Sequence, residues 1–226
     1  MTFDRHSETY EDQLAEAIGG IGDPALFTEV KARLLVQVAD RALGPPSQLS
    51  ALDVGCGPGL TDAFLVNDFD SVVGVDVSQQ MVERARKSNP AFRYVVYDGR
   101  RLPFEDGSFD VSFAICVLHH VEPRERLAFA NELVRVTRPG GLIALFEHNP
   151  FNPLTRTVVS RCEFDEGVEL LPVKEAKHLL RTAGAEAVKS RYILFFPWRA
   201  QVLRRTENLL RYLPLGAQYM VTATRR

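Results

Sequence analysis

Leu52-Asp53-Val54-Gly55-Cys56-Gly57-Pro58-Gly59 is the stretch that decides how this chain is read. The apolar run before the glycines (Leu49, Ala51, Leu52, Val54) has the pattern of a buried parallel strand. The residues after them, Leu60 to Asn67, read as the first helix of a βαβ unit. Three glycines crowd the turn between, as a turn does where backbone must approach a ligand closely. A helix opening there would present free N–H groups and the positive end of its dipole. The combination suits a nucleotide-like ligand.

The spacing narrows the choice. A dinucleotide fingerprint is G-x-G-x-x-G, with the pyrophosphate on the helix N-terminus. Here the glycines run G-x-G-x-G with Pro58 inside the turn, and Asp53 precedes the first of them. A carboxylate in that place repels a pyrophosphate and attracts an ammonium group. Asp76 ends the next apolar run (Val72, Val73, Val75), about twenty residues on, where a ribose hydroxyl pair is held. An amine at one end and a ribose further along describe S-adenosylmethionine.

Further stretches extend this reading. Val75-Asp76-Val77-Ser78, Asp98-Gly99, Leu102-Pro103-Phe104, Ser108-Phe109-Asp110 and Arg138-Pro139-Gly140-Gly141 follow the glycine turn in order. Together with Leu52 to Gly59 they resemble class I S-adenosylmethionine-dependent methyltransferases, most closely the small-molecule branch called type 11. The specific resemblance covers roughly Leu49 to Phe146. It implies a Rossmann-like, doubly wound sheet of seven strands in the order 3-2-1-4-5-7-6, with the seventh antiparallel. It also implies cofactor contacts. Asp53, Gly55, Cys56, Gly57 and Gly59 would meet the amino-acid end. Asp76, Val77 and Met81 would meet the ribose and its surroundings, and Asp98 and Gly99 the adenine. Cys116, Val117 and Tyr10 would close the site.

Composition sets outer bounds. The 226 residues suffice for one α/β domain with a substantial core. The apolar share of 46% and charged share of 25% are those of an ordinary globular protein. A formal charge of -2 argues against a nucleic-acid partner. Cys56, Cys116 and Cys162 have no metal-ligand spacing and cannot all pair, which fits a reducing cytoplasm, and no metal site is expected. No apolar run approaches the ~20 residues of a membrane helix, so no membrane insertion is expected.

In chain order, residues 1–46 read as an N-terminal helical cap. Tyr10 to Ile18 forms one helix, and a second runs from Pro24 to about Leu43 with Asp23 as its N-cap. Residues 47–147 are the cofactor-binding core. Residues 148–171 and 197–214 are additions to the minimal framework, and the first leaves the carboxyl end of a strand, where ligands of such sheets bind. Its His148, Asn149 and Arg156, together with Lys31 from the cap, are the expected substrate contacts. Residues Trp198 to Leu213 read as an amphipathic helix.

Methyl transfer displaces a good, neutral leaving group, so the protein's task is alignment and exclusion of water. A hydroxyl or ammonium acceptor also needs a base. His119 and His120 follow the fourth strand, where acceptor and methyl would meet. Neighbours on an extended chain point opposite ways, so at most one of the two faces the acceptor, with His120 the expectation, and neither is needed for a neutral amine or a carbanion. Two other classes compete. A nicotinamide-dependent oxidoreductase would carry G-x-G-x-x-G, which is absent. A cofactor-binding partner protein without catalysis would retain Asp53, Asp76 and Asp98 all the same. Asn149-Pro150-Phe151 is similar to the Asn-Pro-Pro-aromatic motif of adenine and glutamine methyltransferases. It lacks the second proline and follows the wrong strand.

Overall fold

The computed structural model describes residues 9–196, 206–207 and 209–226. Most of the expected amphipathic helix Trp198 to Leu213 lies outside these residues.

Five strands build the parallel part of the sheet: β1 (Ser50–Val54), β2 (Ser71–Asp76), β3 (Arg93–Val96), β4 (Phe109–Ile115) and β5 (Thr137–His148). β6 (Ala185–Ile193) and β7 (Gln218–Arg225) complete it, with β7 antiparallel to both β5 and β6. The order is β3-β2-β1-β4-β5-β7-β6, as the resemblance implied.

Alternation along the strands divides the core into two layers. Leu52, Val54, Ala114 and Leu145 face one side with Leu133 of helix α4 (Arg126–Val136) and Leu180 of α6 (Val173–Thr182). Ala51, Val72, Phe113 and Phe146 face the other with Leu35 and Ala39 of α2 (Pro24–Leu43). Val82 and Ala85 of α3 (Gln79–Ser88) pack over β3 through Tyr94. Buried on both faces, the central strands carry the continuous apolar runs visible in the sequence.

The N-terminal pair forms as expected. α1 (Tyr10–Ile18) stops at Gly19, and α2 begins on Asp23, whose carboxylate accepts from the Ala25 N–H, with Pro24 in the first turn. Ser78 caps α3 by accepting from the Met81 N–H.

Two local expectations are corrected. No α-helix spans Leu60 to Asn67; a short 3-10 turn, Asp62–Phe64, stands there. Thr61, Asp62, Val66 and Asn67 are weak helix formers, and the segment is fixed from outside itself. Tyr94 Oη donates to Asp62, and Asn89 Nδ2 donates to the Gly59 carbonyl. β4 ends at Ile115, after which Cys116 takes a positive φ of 58° and Leu118–His120 form a 3-10 turn. His119 and His120 are therefore not on extended chain. The added segment 148–171 contains a helix, α5 (Pro153–Arg161), capped by Asn152, and a 3-10 turn at Glu163–Asp165.

Candidate active site

A cavity of about 560 Å³ opens beyond the carboxyl ends of β1, β2 and β4. That volume is in the range of small-molecule sites. The glycine turn forms its floor, α1 and α2 one wall, and α5 with the following turn another.

The turn is built by close approach. A Cβ on Gly55, which has φ +81°, would lie 2.5 Å from a Val117 methyl. One on Gly59, at φ +78°, would lie 2.5 Å from Asn89 Nδ2. Gly59 itself does not line the cavity; it lets the turn close over Asn89. Asp76 locks the same turn from β2: its Oδ2 accepts from the Gly57 N–H and its Oδ1 from the Ser78 N–H, both at 2.9 Å.

Asp53 is 2% exposed and lines the cavity, and its Oδ1 makes no hydrogen bond. Burial, and then the neighbouring Asp62 carboxylate, raises its pKa well above the usual carboxylate range. Burial likewise pushes Asp62 up to about 6, against the hydrogen bond from Tyr94. Lys31 of α2, only 8% exposed, reaches the cavity and pulls Asp53 back toward the ionised form. A carboxylate and an ammonium thus face one space at the head of the turn.

The opposite end is a cluster of histidines and carboxylates. His119 Nδ1 lies 2.7 Å from Glu147 Oε2, and His119 Nε2 lies 3.5 Å from Asp165 Oδ1. His120 Nε2 is 3.2 Å from the same Asp165 oxygen. The other Glu147 oxygen accepts the N–H groups of Val117 and Leu118, which holds the 3-10 turn in place. Burial alone would lower the His119 pKa, but Glu147 and Asp165 outweigh it and push it up to about 10. Burial and then the His119 charge hold His148 down to about 4. His120 is lowered as well, by burial first. Asp165, between the two rings, sits well below the usual carboxylate range because the two imidazoles beside it outweigh its burial.

The 3-10 turn brings both histidines to the cavity, so the expectation that only one faces it is corrected. Tyr10, Cys56, Gly57, Val77, Met81, Gly99, Cys116, Val117 and His148 also line it, as the sequence reading placed them. Four expected contacts do not line it. Asp98 is exposed, and its carboxylate accepts from the Arg100 and Arg101 N–H groups. Gly59 is displaced as described. Asn149 is fully buried and structural: its Nδ2 donates to the Pro214 and Gly216 carbonyls, tying β5 to the approach to β7. Arg156 is exposed on the outer side of α5. Glu147 and Asp165 were missed. Glu147 directly precedes His148 at the end of β5, but Asp165 lies in a short 3-10 turn after α5 and carries no local signal.

Residues 52–145 match the type 11 family model, described as a methyltransferase domain. A demethylmenaquinone methyltransferase of Beutenbergia cavernae is 39% identical over 114 residues, 50% of this chain and 47% of that protein. A 2-methyl-6-phytyl-1,4-hydroquinone methyltransferase of Synechocystis is 36% identical over 108 residues, 46% of this chain and 33% of that protein. The chain therefore spans less than half the length of these curated relatives. A solved Thermotoga maritima SAM-dependent methyltransferase, described as a possible histamine N-methyltransferase, covers 100% of this chain and 98% of its own at TM-score 0.69. At 21% identity that likeness concerns the fold. Residues 52–145 thus carry the likeness to the type 11 methyltransferase domain, on a sheet of the order β3-β2-β1-β4-β5-β7-β6.

Proposed function

We propose that the protein transfers a methyl group from S-adenosylmethionine to a small-molecule acceptor. The observation that carries this reading is that one cavity joins the glycine turn, Asp53 and Asp76 to the cluster of His119, His120 and Asp165. The residues present fit the cofactor. Asp53 offers a buried oxygen without a partner, Lys31 offers an opposite charge, and together they match the zwitterion of an amino acid. Asp76 would receive the ribose, with Val77, Met81 and Gly99 beside it toward the adenine. When bound, the cofactor supplies an electrophilic methyl on a sulfonium.

The chain's own work is to orient the acceptor and exclude water. α1 contributes Tyr10, Leu14 and Ile18 to the cavity and α2 contributes Phe27, Thr28 and Lys31, which supports reading residues 1–46 as a cap. Tyr10 stacks on Phe164 at 4.7 Å between ring centroids and so joins the cap to the segment after α5. Leu154 and Val158 add to the apolar lining. That lining, and relatives named for quinone-type rings, favour an apolar acceptor with one polar reacting group. His119 and His120, with Asp165, are the acceptor-side groups, and His120 takes up the proton when the acceptor is a hydroxyl. His148 completes the substrate end.

The formal charge of -2 favours a small molecule over a nucleic acid. The free thiols of Cys56, Cys116 and Cys162 favour the cytoplasm. Among the described residues no helix is long and apolar enough to cross a membrane. Calorimetry with S-adenosylhomocysteine tests the cofactor. Mass spectrometry of a metabolite extract incubated with the protein and S-adenosylmethionine tests transfer. A metabolite heavier by one CH2 unit, with matching S-adenosylhomocysteine, is expected. Binding without any such product would point to the partner-protein alternative, and absence of binding would overturn the reading.

A further inference from the structure

At the acceptor end, donor atoms converge that belong to no motif of the cofactor core. One from each of His119, His120 and Asp165 lies within 4.8 Å of the others. Asp165 Oδ1 stands 3.2 Å from His120 Nε2 and 3.5 Å from His119 Nε2. This oxygen is buried, yet it makes no well-directed hydrogen bond. Ligands held at about 2.1 Å around a tetrahedral ion are ~3.4 Å apart, which is the spacing seen between the oxygen and the two nitrogens.

The surroundings fit the same reading. Glu147 occupies His119 Nδ1 at 2.7 Å, which leaves Nε2 as the nitrogen turned to Asp165. A carboxylate behind the ring is how metal-bound histidines are oriented. Glu147 is itself anchored by the Val117 and Leu118 N–H groups, so the ring stands on a rigid base.

We propose that His119, His120 and Asp165 hold one divalent transition-metal ion, with its remaining coordination position open to the cavity. Imidazole and carboxylate donors suit zinc and its neighbours. All three residues line the cavity, so the open position faces the space assigned to the acceptor. An ion there binds an acceptor oxygen and polarises it as a Lewis acid. His120 is then a ligand, and its proton-accepting role belongs to the ion-free protein. The site assembles from two distant turns, Leu118–His120 and Glu163–Asp165, so it exists only once the segment after β5 folds over the cavity.

The test is direct ion binding, independent of activity. Protein freed of metal by a chelator is titrated with Co2+, followed by visible absorption, and with Zn2+ in the calorimeter. One ion per chain is expected. Asp165→Asn and His120→Gln should each weaken binding at least ~10-fold, and Glu147→Gln by ~10–100-fold, as loss of a supporting carboxylate does. Circular dichroism checks that each variant is folded. Where a variant is not, zinc-edge X-ray absorption of the wild type decides, with two imidazoles and a carboxylate expected. S-adenosylhomocysteine titrated into the same samples tests the cofactor reading separately. No stoichiometric ion in the wild type, unchanged affinity in folded Asp165→Asn and His120→Gln, or a different donor set would each overturn the proposal.

Discussion

Glu147 holds His119 and the turn that carries it at once: Oε2 lies 2.7 Å from His119 Nδ1, while Oε1 accepts the N–H groups of Val117 and Leu118. Glu147→Gln keeps an acceptor for the turn and removes the charge facing the ring. Hydrogen bonds to charged groups contribute about 1.5–3 kcal/mol, and a loss of that size is expected in urea unfolding. An unchanged midpoint would show that the turn holds without this carboxylate.

Asp76 also has two duties, since both its oxygens already accept backbone N–H groups from Gly57 and Ser78. Asp76→Ala should therefore loosen the glycine turn as well as lose the ribose contact. S-adenosylhomocysteine affinity is expected to fall by ~1.5–3 kcal/mol. Calorimetry showing full affinity in a folded variant would take Asp76 out of the site.

Lys31 is expected among the substrate contacts, and its position in the cavity with Asp53, whose ionised form it favours, makes the cofactor's amino-acid end a second proposal for it. The wild type should prefer S-adenosylhomocysteine over its decarboxylated analogue by about 10-fold or more, the scale of one charge-assisted contact. Lys31→Gln should erase most of that preference. Equal losses for both ligands would return Lys31 to the acceptor side.

Burial raises Asp62 to about 6 in the folded protein, whereas the unfolded chain ionises near ~3.9. Between these values the folded state keeps a proton that the unfolded state has released. Stability is therefore lost as pH rises through the window, and the cost is complete above about 6. Asp62→Asn retains an acceptor for Tyr94 Oη and removes this cost. Its melting temperature should exceed the wild type's at neutral pH, by up to ~3 kcal/mol of stability, and converge with it toward acid. A pH series in which the difference stays constant would contradict this origin.

In the ion-free protein, His120→Ala should slow methyl transfer to a hydroxyl acceptor by ~10²–10⁴-fold, the usual contribution of a positioned base. Cofactor affinity should be unchanged, because the ring belongs to the acceptor end. Single-turnover rates separate the chemical step from product release. A near-wild-type rate would leave alignment alone to account for catalysis.

Much was legible before folding. The glycine turn with Asp53 and Asp76, the apolar parallel strands and the Asp23-Pro24 helix start are all written within short stretches of chain, because each depends on local backbone geometry or on burial of both strand faces. The failures also have local causes. Leu60 to Asn67 has enough apolar residues to read as helix, but Tyr94 and Asn89, distant in sequence, hold it as a turn. His119 and His120 read as alternating neighbours, yet Glu147 captures the N–H groups before them and bends the chain into a 3-10 turn that sends both inward. Arg156 and Asn149 have the chemical type of substrate contacts and stand in a segment of the right location, and only packing puts one outside and the other against the chain leading into β7. Asp165 joins the histidines across more than forty residues of chain. Local sequence marked the glycine-turn end of the cavity because one turn and two strand ends make most of it. The acceptor end is assembled by side chains that meet only after the segment beyond β5 closes over the sheet, so tertiary structure alone decided it.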